Sequence, residues 1–287
     1  MNFIAEISSN HNKSIDRCFK FIDIASYIGC DSIKFQLFKI EKLFSQEILS
    51  RSEEHRKRKE WELPEDFLKP LSNYSRSKGL NFSCTPFDLD AVDTLFEHVD
   101  FYKIASYELL WDDLLAKCAS TGKDVVISTG MANTNEIKHA VEVLKLNGCK
   151  NPKILHCVSS YPTPIEECNL SAISTIRDLT GCEIGWSDHS VNKSVIERAI
   201  HHWNAEIIEF HLDLDGNGEE FSPGHCWLPE TIGPIIKSFR ESLIADGNGI
   251  KEPTKSELAD RDWRTDPDDG LRPMKNTRNN FINQLYE

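Results

Sequence analysis

The stretch FYKIASYELLWDDLLAKCASTGKDVVIS, residues 101–128, contains the pattern that decides the fold. It begins with a short apolar run at 101–104 and continues with an amphipathic helical pattern over 111–120. It ends with a second apolar, β-branched run at 125–128. Two strand patterns separated by a helix predict a strand–helix–strand unit with parallel strands, because parallel neighbours need a long crossover connection.

The same alternation extends along the chain on both sides of that unit. Strand patterns occupy residues 3–7, 32–35, 81–84, 101–104, 125–128, 154–158, 183–186 and 207–211. Helical patterns follow them at residues 16–27, 65–78, 89–98, 111–120, 135–146, 169–179, 192–202 and 229–243. Eight such units can close into a barrel, and the 287 residues suit the roughly 250 that a (β/α)8 TIM barrel needs. An open, doubly wound sheet is the competitor, but no Gly-x-Gly-x-x-Gly turn follows any strand. We therefore predict an α/β chain with one (β/α)8 domain.

Two segments interrupt the alternation. Residues 1–245 accommodate the barrel, and about residues 37–63 form an insertion between the second strand and its helix. The insertion carries the charge cluster RSEEHRKRKE at 51–60, which suits either a lid over a catalytic face or a solvated helix. Residues 246–287 are predicted to be a short irregular tail, since turn formers are frequent around 266–273.

Composition excludes several classes of protein. The chain has 46 acidic and 33 basic residues, a net charge of -13 that is unsuited to general nucleic-acid binding. No apolar run approaches the roughly 20 residues of a membrane span, and the N-terminus lacks the pattern of a secretory signal. The nine cysteines form no Cys-x-x-Cys pair. We expect a cytoplasmic protein with reduced thiols and small-molecule partners rather than nucleic acid or membrane.

Polar side chains lie at one end of the predicted strands. In a (β/α)8 barrel the active site is built at the C-terminal ends of the strands. Each strand offers at least one hydrogen-bonding or ionisable group there, and together these are Glu6, Lys34, Gln36, Thr85, Lys103, Ser106, Glu108, Ser128, Ser159, Tyr161, Ser187, His189, Glu209 and His211. Random placement would scatter such residues to both ends, so we expect these side chains to surround one opening.

Two lysines stand within apolar strands. Lys34 and Lys103 would be buried there, and a buried ammonium group needs a partner because its desolvation is costly. A phosphate or carboxylate ligand would provide that partner. Pairing with Glu6, Glu108 or Glu209 is the alternative.

Two histidines end the last two strands. His189 and His211 lie on strands that are neighbours in a barrel, where two imidazoles can bind one divalent metal and leave positions open for water and substrate. Histidines satisfied within the core are the alternative. His225, in the last strand-to-helix loop, is close enough in sequence to reach the same opening.

At these positions the chain resembles the sialic acid synthases, which include the N-acetylneuraminate, legionaminic acid and pseudaminic acid synthases. The resemblance covers residues 3 to about 235. It is carried in order by the motifs AEISSNH (5–11), GCDSIKFQ (29–36), CTPFD (84–88), KIAS (103–106), ISTGMA (127–132), LHCVSSYPTP (155–164), GWSDH (185–189) and IEFH (208–211). Each motif alone is weak, but their order and their positions at strand ends make the resemblance specific.

The resemblance implies a barrel that condenses phosphoenolpyruvate with an open-chain amino-sugar aldehyde of the N-acetylmannosamine type. The products would be a 3-deoxy-2-keto sugar acid and phosphate. The resemblance also implies a divalent metal, manganese first, with magnesium or cobalt as alternatives. The resemblance is also compatible with a homodimer.

Roles for individual residues follow from the same resemblance. His189 and His211 would bind the metal, while Glu6 and Glu209 would position groups or move protons; Lys34 and His211 are also expected among the catalytic residues. Phosphoenolpyruvate would be held by Lys34, Thr85, Lys103, Ser106, Ser128, Ser159 and Ser187. The acceptor sugar would face Gln36, Glu108, Tyr161 and His225.

Three departures from the family pattern bear on the substrate. Ser159 replaces the usual asparagine, and the loop 217–225 differs from the family's Gly-Pro-Asp-His segment. The family's C-terminal antifreeze-like domain is expected to be absent. Two alternatives therefore stay open, namely the same chemistry on a different aldose and a non-catalytic barrel that binds an anion or a sugar.

Overall fold

Eight parallel strands close into a barrel in the computed structural model, which describes the backbone of residues 1–284 and the side chains of residues 1–280. The strands are β1 (Asn2–Glu6), β2 (Ser32–Leu37), β3 (Asn81–Pro86), β4 (Phe101–Ile104), β5 (Asp124–Ser128), β6 (Lys153–His156), β7 (Ile184–Asp188) and β8 (Ile207–His211). Each strand pairs with the next, and β8 pairs with β1. The predicted (β/α)8 fold is confirmed.

Helices connect the strands and cover the outside of the barrel. They are α1 (Ile15–Tyr27), α2 (Ile40–Leu43), α3 (Gln46–Arg51), α4 (Glu53–Lys57), α5 (Leu68–Ser77), α6 (Leu89–Leu95), α7 (Asp112–Ser120), α8 (Thr134–Leu146), α9 (Ala172–Thr180), α10 (Lys193–His201), α11 (Pro229–Ala245) and α12 (Lys275–Gln284). Their starts follow local capping chemistry. Ser14 caps α1, and Asn133 forms a capping box with Glu136 at α8.

The lower part of the barrel interior is apolar. Ile4, Phe101, Val126, Leu155 and Ile207 form a separate buried cluster contributed by five strands. Side chains two residues further along a strand point to the same face. The inward-facing residues beyond this floor are therefore the polar ones at the C-terminal ends of the strands.

The insertion after β2 contains helices α2 to α4 and a small apolar cluster centred on Phe38, Ile40 and Leu49. The charge cluster falls largely on α4, which has no buried residue, and Lys57 pairs with Glu53 one turn earlier. The cluster is thus an exposed helix. Whether the insertion also works as a lid stays a prediction.

The chain divides into two compact units, residues 1–240 and 241–287. Within the second unit, where an irregular tail was predicted, the helix α12 is regular and two 3-10 helices, Lys255–Glu257 and Arg261–Trp263, precede it. Residues 285–287 of the predicted tail lie outside the described part of the chain. In the part that the structure describes, no helix is long and apolar enough to cross a membrane.

Candidate active site

Strand register brings the charged residues into one layer. In the barrel ladder Glu6 on β1 lies opposite Lys34 on β2 and opposite His211 on β8. Ser187 on β7 lies opposite Glu209. All five side chains are nearly inaccessible to solvent. Residues separated by more than 200 positions in the sequence therefore meet at the C-terminal mouth of the barrel.

The centre of this layer consists of two lysines and two glutamates. Lys34 forms an ion pair with Glu6, donates a hydrogen bond to Thr85 Oγ1 at 3.2 Å, and lies 3.9 Å from Glu209. Lys103 Nζ lies 3.7 Å from Glu209 Oε1, beyond hydrogen-bonding distance, and donates to the carbonyl of Ile104 at 3.1 Å. Both lysines thus have carboxylate neighbours, as the alternative prediction required.

The two lysines differ electrostatically. Burial lowers the pKa of Lys103, and the Glu209 carboxylate offsets only part of that effect. Burial acts on Lys34 as well, but Glu209 and Glu6 together raise the pKa of Lys34 above its ordinary value. Lys103 is therefore the less fully compensated cation, and an anionic ligand would stabilise its charge.

Several buried oxygens around the lysines have no hydrogen-bond partner among the described residues. They belong to Ser128, Ser159, Glu108 and Glu209. Buried polar groups are normally paired, and groups that are not often mark the place of a ligand or water. The unpaired serine hydroxyls lie on the side of the mouth formed by β5 and β6, where a ligand oxygen would satisfy them.

Gly130 keeps that side of the mouth open. A Cβ atom at this position would collide with Ser159 Oγ and would lie 2.9 Å from Ser106 Oγ. The backbone N–H of Gly130 also donates to Ser106 Oγ at 2.9 Å. Glycine is therefore required for the close approach of these two serines.

The outer wall of the mouth carries groups suited to a neutral, hydroxylated molecule. Gln36 donates to Glu6 Oε1 at 2.9 Å. Burial raises the pKa of Glu108 to about 7, although Lys103 acts in the opposite direction. The ring of Tyr161 packs on His189 with centroids 4.2 Å apart.

The histidines of β7 and β8 face each other. The ring centroids of His189 and His211 are 5.4 Å apart. His189 Nδ1 donates to the carbonyl of Val158 at 2.8 Å, and His211 Nδ1 donates to Glu220 Oε2 at 2.8 Å. Each ring therefore keeps its Nε2 for another partner. Burial lowers the pKa of His189 to about 3, so that this ring is neutral and able to bind a metal.

Comparison with known proteins places the barrel in a family. The sequence profile of the NeuB family matches residues 21–251. The chain belongs to the NeuB family. The predicted resemblance is thereby confirmed.

Relatives of this NeuB-family chain include proteins named as synthases of diacetyllegionaminic acid and sialic acid. In an alignment of 271 residues that covers 88% of this chain and 80% of the other protein, the chain is 34% identical to the N,N'-diacetyllegionaminic acid synthase of Campylobacter jejuni. In an alignment of 262 residues that covers 89% of this chain and 75% of the other protein, it is 38% identical to an uncharacterised protein of Methanocaldococcus jannaschii. The barrel superposes on a crystal structure of sialic acid synthetase from Leptospira borgpetersenii in complex with citrate, with a TM-score of 0.77 at 31% sequence identity. The superposition covers 90% of this chain and 89% of that chain.

The site residues predicted from the sequence converge on this NeuB-family barrel mouth, but one neighbour was missed. Glu220, in the loop after β8, accepts a hydrogen bond from His211, and its side chain is largely buried. Its other carboxylate oxygen accepts from the Ser8 hydroxyl. The only signal in the sequence was an acidic residue between two histidines of interest, His211 and His225.

Proposed function

We propose that this NeuB-family chain condenses phosphoenolpyruvate with an open-chain sugar aldehyde and releases phosphate and a 3-deoxy-2-keto sugar acid. The observation that carries the proposal is the convergence in one barrel mouth of two buried lysines, unpaired serine hydroxyls and two facing histidines. Relatives named as synthases of diacetyllegionaminic, pseudaminic and N-acetylneuraminic acid phosphate support this reaction class. We assign the reaction to the barrel, residues 1–245.

Phosphoenolpyruvate carries a phosphate and a carboxylate on adjacent atoms, so its site needs two cations and several neutral donors. Lys34 and Lys103 supply the charges. The hydroxyls of Ser128 and Ser159 supply donors that no residue of the described chain uses. Thr85 accepts from Lys34 and Ser187 donates to Glu209, so these two would hold the lysine and glutamate framework while also facing the ligand. Ser106 accepts from the Gly130 backbone N–H and would face the ligand beside Ser159.

His189 and His211 are the groups that we propose as ligands of a divalent metal, manganese first, with magnesium and cobalt as alternatives. Their fit rests on one arrangement that the two rings share. Each imidazole donates its Nδ1 proton to an oxygen acceptor, an arrangement that orients metal-binding histidines in proteins generally. When bound, such a metal would polarise the aldehyde as a Lewis acid.

The chain's own residues would guide the remaining steps. The C3 carbon of the enol forms a bond to the aldehyde carbon, and positive charge develops at C2. Glu209 suits the stabilisation of that charge, because Lys103 and Lys34 lower its pKa despite burial and keep it ionised. Water then adds to C2 and gives a proton to a carboxylate, for which Glu6 and Glu209 are the candidates, and the former aldehyde oxygen takes up a proton to become a hydroxyl. The tetrahedral species then loses the proton of its new C2 hydroxyl and expels phosphate between the lysines by cleavage of the C2–O bond to phosphate, which leaves a keto group at C2.

Gln36, Glu108, Tyr161 and His225 form the wall that we assign to the acceptor. Their mixture of amide, carboxyl and ring groups suits a polyhydroxylated chain, and the acylated amino sugars are our first candidates. The nine free, buried cysteines suit a reducing compartment, so we propose the cytoplasm as its location.

The decisive experiment supplies manganese, phosphoenolpyruvate and a panel of aldoses that includes N-acetylmannosamine. We expect phosphate release only when metal, phosphoenolpyruvate and a suitable aldose are all present, and a product whose mass is the sum of both substrates plus water minus phosphoric acid. His211→Ala should abolish turnover, while Lys138→Ala on the exposed face of α8 should not. Phosphoenolpyruvate binding without turnover on any aldose would instead support a binding protein.

A further inference from the structure

The two histidines proposed as metal ligands donate their Nδ1 protons to different kinds of acceptor. His189 donates to the backbone carbonyl of Val158 at 2.8 Å, whereas His211 donates to the Glu220 carboxylate at 2.8 Å. Any residue at position 158 would provide the backbone acceptor. The acceptor of His211 is a side chain of the loop between β8 and α11, residues 212–228, so its presence depends on the identity of one residue.

The chemistry of the Glu220 carboxylate determines which nitrogen of His211 is free. An ionised carboxylate has no proton to donate, so His211 must carry its ring proton on Nδ1. The lone pair of the neutral ring is then on Nε2, the nitrogen that is available to a metal. His225 Nε2 is 3.6 Å from the same carboxylate oxygen, which is beyond hydrogen-bonding distance. Among the described residues, His211 is therefore the hydrogen-bond donor to Glu220 Oε2.

Residues that follow β1 hold Glu220 in place. The Ser8 hydroxyl donates to Glu220 Oε1, and the Glu220 backbone N–H donates to Asn10 Oδ1 at 2.8 Å. Asn10 in turn donates to the carbonyl of Leu212, the residue after His211, at 3.0 Å. Both Ser8 and Asn10 are buried. The two carboxylate oxygens and the backbone N–H of Glu220 thus have defined partners, which fix the direction of the hydrogen bond to His211.

The backbone around Glu220 is unusual in both segments that meet there. Ser8 has a φ of 46°, in the left-handed region that is unfavourable for a residue with a Cβ atom. A Cβ atom at Gly218 would lie 2.4 Å from Asn10 Oδ1, so glycine is required for the loop to approach Asn10. Unfavourable backbone conformations cluster at functional sites, where the surrounding structure holds them in place. Here the side chain that both segments hold is Glu220.

We propose that Glu220 is a positioning residue for His211. Its carboxylate fixes the tautomer and the plane of the His211 ring, so that Nε2 faces the divalent metal that His189 also binds. Glu220 itself is not a metal ligand. The inference rests on the proposed function for the identity of His189 and His211 as ligands. Its consequence is that the metal affinity of this chain depends on the loop 217–225, the segment that departs from the family pattern.

The first test reads the tautomer of His211 in the full chain without metal or substrates. The chain is labelled with ¹⁵N-histidine, and NMR records the imidazole nitrogens at alkaline pH, where the rings are neutral; His211→Asn identifies the His211 signals. We expect His211 to be protonated on Nδ1 and to lose this preference in Glu220→Ala, since the hydrogen bond at one ring nitrogen sets the tautomer. Glu219→Ala, an exposed neighbour with the same charge change, should leave the tautomer unchanged.

The second test measures Mn²⁺ affinity in the absence of both substrates. The chain is titrated with MnCl2, and free Mn²⁺ is counted by its electron paramagnetic resonance signal. Loss of a group that orients a metal ligand typically weakens metal binding about 10- to 100-fold, which we expect for Glu220→Ala. Glu220→Gln should recover part of the affinity, because its amide oxygen can still accept the Nδ1 proton. Glu219→Ala should bind Mn²⁺ as the unmodified chain does.

Three results would overturn the proposal. An unchanged His211 tautomer in Glu220→Ala would show that Glu220 does not position the ring. Unchanged Mn²⁺ affinity would show that the contact does not serve the metal, and a loss well beyond about 100-fold would make Glu220 a ligand itself. Circular dichroism establishes that each variant is folded, and Glu220→Asp, which withdraws the carboxylate by one methylene group, replaces Glu220→Ala if the latter is not. Because neither test measures turnover, absent phosphate release would refute the proposed function and leave this inference standing.

Discussion

Replacing Lys103 with methionine tests the anion site without dismantling the barrel. Methionine has a similar length and no charge, and the Lys103 side chain is almost completely buried. Burial already lowers the pKa of this lysine, which means that its charge is poorly stabilised in the free protein. Glu209 would keep Ser187 as a hydrogen-bond donor and Lys34 at 3.9 Å. Because Lys34 stays near Glu209, the change should lower the free energy of unfolding by less than the about 3–5 kcal/mol that loss of the sole partner of a buried charge costs.

The effect on phosphoenolpyruvate binding should be large. A hydrogen bond to a charged group contributes about 1.5–3 kcal/mol, and a charge pair at 4 Å about 4 kcal/mol at an effective dielectric constant of 20. Part of this gain is lost because the Lys103 ammonium is already attracted by the Glu209 carboxylate, 3.7 Å away, in the free protein. A net loss of about 2–3 kcal/mol corresponds to phosphoenolpyruvate affinity roughly 30- to 150-fold weaker.

The assay pairs isothermal titration with phosphoenolpyruvate and steady-state kinetics for both substrates. We expect the KM for phosphoenolpyruvate to rise by the stated factor while the KM for the aldose changes little. Lys138→Met, at an exposed position on α8, is the matched control. Equal losses for both substrates, or unchanged phosphoenolpyruvate affinity in a folded variant, would refute the assignment of Lys103 to the anion.

Three further changes probe the same mouth. Lys34→Met should lower the free energy of unfolding by about 3–5 kcal/mol in a denaturant titration, because it leaves the buried Glu6 carboxylate without its cation. In Gly130→Ala the new methyl group collides with Ser159 Oγ, so the KM for phosphoenolpyruvate should rise at least about tenfold, which corresponds to about 1.4 kcal/mol. An unchanged KM would contradict this argument from crowding. The raised pKa of Glu108 means that the folded state holds a proton that the unfolded state releases between about 4.5 and about 7, so the free energy of unfolding should fall as pH rises through that window. Glu108→Gln should flatten this pH dependence, and an unchanged slope would show that another group causes it.

The fold and most of the site were predictable because both follow from periodic features. Strand and helix patterns alternate eight times, and parallel strands in a barrel place all their C-terminal ends on one rim. The position of a polar residue at the end of a strand is therefore predictable, and it lies on that rim. Examples are Lys34, Lys103, His189 and His211. Their mutual distances depend only on closure of the barrel and the stagger of its strands.

What could not be predicted depends on loop conformation and on register. Glu220 reaches His211 because its backbone N–H is held by Asn10, from the other end of the sequence. No periodicity encodes such a contact. The partner of Lys34 was also undecided, since Glu6, Glu108 and Glu209 were all plausible until the register placed Glu6 directly opposite it. Helices α2 to α4 are too short to produce a recognisable period.

The barrel interior has an apolar floor and a charged layer above it, and this arrangement explains why the buried lysines and glutamates can act strongly on a ligand. Ile4 and Ile207 belong to the apolar floor, and Glu6 and Glu209 follow two residues later on the same strands, about 6.6 Å higher. The floor keeps water from the underside of the charged layer, so that electrostatic interactions there are less screened than at the surface. A ligand that enters from the mouth therefore loses its hydrating water molecules and contacts lysines and hydroxyls whose positions are fixed by the protein. A polar floor, as in Ile207→Thr, would admit water below Glu209 and weaken anion binding without touching any group that contacts the anion.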